Sequence, residues 1–317
     1  MSAGALIAGN TVVYKPSPDA PTTGVKLIEI LREAGLPPGA MSYLTDSGAV
    51  VGKTLVASPK VSGMVVTGSK AVGFTIVKNF NDPRPRPCFL ELGGKNPSGG
   101  TENADLEKGA EGIRRGGFGF AGQSCISVQR VYVERTAYGA FLEAFVPRVE
   151  ALKVGDPAAE DTDVGPLISP SERDRVLEWI EEARTSGADI LTGGSLDGDL
   201  LLPTVIGNAP AGTKLSTEEA FGPVCAVWPY DTLDEAIARA NGTRYGLAAS
   251  IWTGDVARAH ALARRLQAGV VWINCFNEFD DAAPFGGFKE SGWGRDLSHH
   301  ALDGFLQLKA VWTKLPE

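Results

Sequence analysis

Short apolar runs alternate with helical stretches through residues 11–92, and that rhythm leaves few folds open to the chain. Runs at 11–14, 41–44, 61–66 and 88–92 read as strands. Between them, Leu27, Ile30, Leu31 and Ala34 recur at helical spacing behind a Thr22 or Thr23 cap, with Gly35 as the stop. Residues 50–57 and 70–80 also read as helical. Strands separated by helices are joined by right-handed βαβ crossovers, so a parallel sheet follows, as in nucleotide-binding architectures. The pieces then lengthen. Helices are expected at 104–115, 137–152, 171–184 and 231–240, and strands at 127–133, 202–206, 224–228 and 270–275. Strand-like alternation returns at 305–311. No repeat, low-complexity tract or flexible linker interrupts the pattern, and the boundary near 92–95 reads as a hinge within one compact body.

At 317 residues the chain is long enough for more than one domain. Its net charge of −8 argues against binding a phosphate backbone, so no nucleic-acid partner is expected. Cys88, Cys125, Cys225 and Cys275 form no CxxC pair, so neither a metal site nor a disulfide framework is expected. His260, His299 and His300 are too few for a three-histidine metal site, and a nucleophilic cysteine here needs activation from something other than histidine. The opening MSAGALIAG lacks a basic n-region, and no later run reaches membrane-spanning length. A soluble cytoplasmic protein without a membrane partner is the expectation.

Several residues have the character and context for chemistry. Cys125 ends the small-residue loop FAGQSC, where backbone N–H groups can face a developing oxyanion. A lone cysteine is more often a small buried hydrophobe, and Cys88, Cys225 and Cys275, each in an apolar run, are read that way. Glu91 closes a strand just before Gly93-Gly94, where parallel sheets place their ligands, and partial burial would make it a usable base. The competing reading pairs it with Lys95. Gly68, Ser69 and Gly73 lie in a strand–turn–helix element whose backbone can approach a pyrophosphate. Lys15 ends its own strand within reach of a ribose or phosphate. Glu219 and Phe221 offer a carboxylate and an aromatic ring two positions apart, in what could equally be a solvated acidic turn.

The segments AGNTVVYKPS (8–17), TGSKAVG (67–73), LELGGKNP (90–97), GQSC (122–125), EEAFGPV (218–224), YGLAAS (245–250) and PFGGFKESGWGRD (284–296) together resemble the aldehyde dehydrogenase superfamily. They occur in that family's order, and the 34 positions from Glu91 to Cys125 fit its spacing. The resemblance implies an α/β fold: a partial Rossmann-type cofactor domain joined to an α/β catalytic domain, truncated at the N-terminus. The implied divisions are 1–91 for the NAD(P)-binding part, 92–288 for the catalytic domain, and 289–317 for a C-terminal segment with an oligomerisation strand. It implies Cys125 as nucleophile and Glu91 as the base for deacylation. Lys15 would hold the adenosine ribose, Gly68, Ser69 and Gly73 the pyrophosphate, and Glu219 and Phe221 the nicotinamide ribose and ring, with NAD or NADP as cofactor. Asn96 and Pro97 continue the strand after the base and are read as structural.

A small-molecule aldehyde is the implied substrate and a homo-oligomer, dimer or tetramer, the implied assembly. Three departures from the family pattern stand out. The chain begins after the family's usual Trp-Asn pair, whose Asn supplies an oxyanion donor. Pro18 replaces a Glu common in NAD-preferring members, and Ser98-Gly99-Gly100 replaces an apolar strand. The first of these motivates an alternative, a catalytically silent binding or assembly protein on the same fold. Residues 66–97 resemble semialdehyde dehydrogenases, whereas the end of the chain is more like aminoaldehyde dehydrogenases. Glu278, Asp280 and Asp281 could there face a cationic substrate or be a solvated acidic turn.

Overall fold

The computed structural model describes residues 1–316. The first strands are short and their sheets small. After α1 (Ser2–Ile7), β1 (Val12–Tyr14) lies parallel to β2 (Met41–Tyr43), with α2 (Pro21–Glu33) as the crossover. Pro21 opens α2, where a missing N–H costs nothing, and its carbonyl accepts the Tyr43 hydroxyl at 2.6 Å. After α3 (Lys53–Ala57), β3 (Met64–Thr67), α4 (Lys70–Phe80) and β4 (Cys88–Glu91) form a second βαβ unit, with Thr67 opposite Glu91. The Ser69 hydroxyl caps α4 by accepting the Val72 N–H.

The larger body is a seven-stranded sheet. It contains β5 (Asn96–Gly100), β6 (Val128–Glu134), β7 (Asp189–Thr192), β10 (Thr204–Gly207), β11 (Val224–Tyr230), β12 (Ala248–Trp252) and β13 (Val270–Ile273). A small hairpin, β8 (Leu196–Asp197) and β9 (Leu200–Leu201), precedes β10. The spatial order is β13-β12-β5-β6-β11-β10-β7, parallel throughout except for β7 at one edge. Val131, Val205, Ile206 and Val227 are sealed from solvent and share one core with Phe145 and Ile180. Those two come from α6 (Arg135–Glu150) and α7 (Pro170–Thr185), which with α5 (Leu106–Phe118), α9 (Leu233–Asn241) and α10 (Val256–Ala263) supply the longer helices. β14 (Gly292–Trp293) runs antiparallel to β4, so the C-terminal segment returns to the first half of the chain.

Residues 92–95 are packed into the body: Leu92 and Lys95 are buried, and the Leu92 N–H is bonded to the Ser291 carbonyl at 2.9 Å. Elsewhere the structure adds to or departs from the sequence expectations. Ser98-Gly99-Gly100 does form a strand, and a central one. Its missing apolar side chains are offset by the buried Ser98 hydroxyl, which meets Ser250 Oγ at 2.8 Å and Trp252 Nε1 at 3.2 Å. β7, β12 and α10 stand where no element was expected. The alternating tail at 305–311 forms no strand, and its Leu308 and Val311 are exposed. Among the described residues no helix is long and apolar enough to cross a membrane.

Candidate active site

Cys125 stands on a loop that bends sharply out of α5. In the 3-10 turn Gly119–Gly122, Phe120 and Ala121 take φ of 53° and 55°, a left-handed conformation that costs a non-glycine residue energy. The bend is held from outside. Asn96 Nδ2 donates to the Cys125 carbonyl at 2.8 Å and to the Ser127 carbonyl at 2.9 Å. Gly122 lies so close to the 218–224 loop that a Cβ there would sit 2.0 Å from the Gly222 carbonyl oxygen. Burial pushes the Cys125 thiol up to about 11, with the charges of Glu219 and then Glu91 adding to the shift. The backbone N–H groups of Ile126 and Cys125 itself oppose it.

Glu91 ends β4 beside Gly292 of β14. Its Oε2 is buried without a hydrogen-bond partner, and Oε1 lies 3.0 Å from where a Cβ on Gly286 would stand. Burial raises this carboxyl to about 8; Asp296 adds to the shift and Arg295 offsets part of it. The alternative pairing with Lys95 does not form. The Lys95 side chain is fully buried elsewhere, its Nζ on Gln129 Oε1 at 3.0 Å. Burial, then the nearby Arg130 charge, lowers that amine to about 7.

Glu219 is no solvated turn residue. Its Oε1 accepts the Gly94 N–H at 3.0 Å, and its Oε2 occupies the space beside Gly93, 1.8 Å from where a Cβ would be. Burial raises it to about 7 against the pull of the Gly94 N–H, Lys95 and Arg175. Two residues on, Phe221 takes φ 48° and leaves its ring 37% exposed. The structure therefore brings Cys125, Glu91 and Glu219 into one electrostatic neighbourhood, built from three distant segments.

The remaining predicted residues lie on the side of the small sheets. Gly68 heads α4 with nothing within 4 Å of a would-be Cβ, while its N–H bonds the Glu91 carbonyl at 3.2 Å. At Gly73 a Cβ would lie 2.7 Å from Leu92 Cδ2, so its bareness lets α4 pack on Leu92. Lys15 Nζ bonds the Pro16 carbonyl at 2.7 Å and approaches that of Asp46 at 3.4 Å. Of the other cysteines, Cys225 is fully buried and Cys88 half-buried. Cys275 lies just beyond β13 and packs on the same Ile126–Leu247–Trp272 cluster as Cys125. Trp272, Phe279 and Phe285 form an edge-to-face series with centroids 5.7 and 5.6 Å apart, and the exposed Glu278, Asp280 and Asp281 lie among them in sequence.

Sequence reasoning did not find Gln129, which ties the segments together. Its Oε1 accepts from Lys95 Nζ and the Ala220 N–H, and its Nε2 donates to the Gly94 carbonyl at 2.9 Å. Beside it, buried Arg130 donates to the Lys95, Arg239 and Ala240 carbonyls. A signal was present: Gln129 and Arg130, side by side in the mostly apolar run VQRVYV, need internal partners. Among the described residues no cluster of metal-ligating side chains occurs.

Known proteins share this arrangement at the level of whole sequence and fold. The chain is 40% identical to a betaine aldehyde dehydrogenase of Cereibacter sphaeroides, over 98% of its own length and 65% of that protein's. To retinaldehyde dehydrogenase 3 of Mus musculus it is 39% identical, over 99% and 62%. The NAD+ complex of an aldehyde dehydrogenase from Bacillus cereus superposes with a TM-score of 0.92 at 36% identity, covering 96% of this chain and 63% of the other. The chain thus spans just under two thirds of the length of these relatives. The family model described as "Aldehyde dehydrogenase family" matches residues 1–311. With nearly all its residues accounted for by that match, the chain belongs to the aldehyde dehydrogenase family.

Proposed function

We propose that the chain carries the cysteine chemistry of an NAD(P)-dependent aldehyde dehydrogenase, converting an aldehyde to its acid through a thiohemiacetal and a thioester on Cys125. The observation that carries this reading is that Glu91 at the end of β4, Glu219 on the Gly94 N–H and the Cys125 loop packed against Gly94 come together from separate segments of the chain. The proposed divisions are 1–91 for cofactor binding, 92–288 for catalysis and 289–317 for assembly into a homo-oligomer.

The residues fit a dinucleotide. Open space at Gly68 gives a pyrophosphate access to the N-terminus of α4, an eleven-residue helix whose dipole favours negative charge. Lys15, Gly68 and Ser69 would hold the adenosine half, and Glu219 with Phe221 the nicotinamide ribose and ring. Bound there, the dinucleotide supplies the hydride acceptor. The Cys125 thiol adds to the aldehyde carbon as its proton passes to the carbonyl oxygen, and loss of hydride from that carbon and of the hydroxyl proton to solvent leaves an acyl thioester on the sulfur. Glu91 then takes a proton from water, oxygen adds to the acyl carbon, and the sulfur leaves. A carboxyl at about 8 is mostly protonated at neutral pH, so its base form, and with it deacylation, should grow as pH rises through about 8.

The test is reduced-nicotinamide absorbance from the purified chain with an aldehyde and NAD+ or NADP+. Cys125→Ala should abolish it, and a robust rate in that variant would overturn the reading. Cofactor binding without turnover in the unsubstituted chain would favour the second reading, a silent binding or assembly protein. For the substrate, exposed carboxylates beside the Trp272–Phe279–Phe285 series favour aldehydes bearing a cationic amine. Equal efficiency on cationic, neutral and anionic aldehydes would remove that preference.

A further inference from the structure

Burial and two carboxylates work against ionising the Cys125 sulfur; what opposes them is the local backbone, the N–H groups of Ile126 and of Cys125 itself. A peptide unit is planar and trans, so its C=O and N–H point in opposite directions and cannot be aimed independently. Fixing the Cys125 carbonyl therefore fixes the Ile126 N–H. That carbonyl is held by Asn96 Nδ2 at 2.8 Å, and Asn96 is itself immobilised. It is buried at the start of β5, its second amide hydrogen bonds the Ser127 carbonyl at 2.9 Å, and its Oδ1 accepts the Ala248 N–H at 3.0 Å. The bareness of Gly94 makes room for the contact, since a Cβ there would lie 2.7 Å from the Cys125 oxygen and 2.4 Å from Asn96 Oδ1.

We propose that Asn96 is a positioning residue for the nucleophile: by gripping the Cys125 carbonyl it turns the 125–126 peptide so that the Ile126 N–H points at the sulfur and stabilises the thiolate. The proposal rests on the reading of Cys125 as nucleophile, but its test does not depend on turnover. The groups facing the sulfur are Glu219, backed by Lys95 and Arg175, and Glu91, backed by Asp296 and Arg295. Cys275, with Glu278 near it, packs on the same cluster. None of these side chains is a hydrogen-bond partner of Asn96, so a change in Cys125 ionisation on shortening Asn96 is read as the backbone contribution.

The experiment is alkylation of the full chain by iodoacetamide across pH, followed at each cysteine by peptide mass spectrometry, with a thermal melt of the same samples. In Asn96→Ala the Cys125 profile should move to higher pH, slowing its alkylation near pH 8 by about tenfold, the equivalent of one unit in thiol acidity, while the Cys88 profile stays put. Asn96→Ser, which keeps a shorter donor, should shift less and provides the same comparison if the alanine variant does not fold. An unchanged Cys125 profile with a lower melting temperature would mean that Asn96 only joins strands, and would overturn the proposal. Parallel shifts at Cys125 and Cys88 would signal general loosening and overturn it as well. Turnover persisting in Cys125→Ala would sink the nucleophile assignment alone and leave this result standing.

Discussion

Ile206 in the seven-stranded sheet is fully sealed from solvent, whereas Leu27 and Ile30, on the apolar stripe of α2, stand 39% and 61% exposed. Both regions repeat strand and helix with similar regularity, yet only one buries its pattern on both faces. In the first, β6, β10 and β11 lie between helices, and their side chains join one continuous core. In the second, a two-stranded and a three-stranded sheet leave Ile7, Val13, Ile30 and Val50 uncovered. Helical periodicity records which face of a segment is apolar; it does not record whether anything covers that face. Stability should therefore sit unevenly along the chain. Ile206→Ala should cost about 2–5 kcal/mol, and Ile30→Ala no more than about 0.5 kcal/mol, read as urea midpoints. Equal losses would break the contrast.

Individual glycines also serve different ends. Gly94 has no room: a side chain would drive into the Asn96 amide and the Cys125 carbonyl. Gly94→Ala should lower stability by about 1–3 kcal/mol and displace the cysteine loop, visible as a changed alkylation rate at Cys125. Gly68 has open space instead. Gly68→Ala should leave the melting temperature within a degree or two of the parent, on the scale of about 0.5 kcal/mol, while weakening dinucleotide binding measured by calorimetry. A large stability loss at Gly68 with none at Gly94 would invert the assignment of one glycine to packing and the other to a ligand.

Much of this was legible in advance, for identifiable reasons. β4 and α4 carried their own end signals, the Gly93-Gly94 break after Glu91 and the Ser69 cap. β12 was missed because Ala-Ala-Ser-Ile-Trp has too little bulk to read as a strand, although every one of its residues is buried. α10 was missed despite its Asp255 cap, being only eight residues long. At the candidate site, Cys125, Glu91 and Glu219 were singled out as motif residues, but the contacts that hold them were not. Asn96 meets partners 29 and 152 positions away, Gln129 one 91 positions away, and no local pattern reports such distances.

The two carboxylates give the comparison its electrostatic form, since Glu91 belongs to the first region and Glu219 to the second. Glu219 acts more strongly than Glu91 on the Cys125 sulfur, and both raise it. With the carboxyls at about 8 and about 7, both are largely ionised by pH 9. Removing either charge there should favour the thiolate. Glu219→Gln should therefore speed Cys125 alkylation at pH 9 several-fold, and Glu91→Gln by less. The reverse order would place the first region's carboxylate nearer the sulfur.

An effect of the opposite sign is expected at Gly99, in the middle of the better-packed region. It stands between Ile251 of β12 and Tyr132 of β6, in a strand position that an apolar side chain would normally fill. No atom lies within 4 Å of a Cβ built there. The space opens into a cavity of about 40 Å³ lined by Tyr132, Tyr230, Ile237, Ile251 and Leu262. Alanine at this position would enter that cavity without collision and would also reduce the freedom of the unfolded chain. Gly99→Ala should accordingly raise stability by about 0.4–1 kcal/mol in urea unfolding, with Cys125 alkylation unchanged. A loss of stability would mean that the glycine serves close backbone packing, as Gly73 and Gly94 do, and that the well-sealed sheet has no slack at its centre.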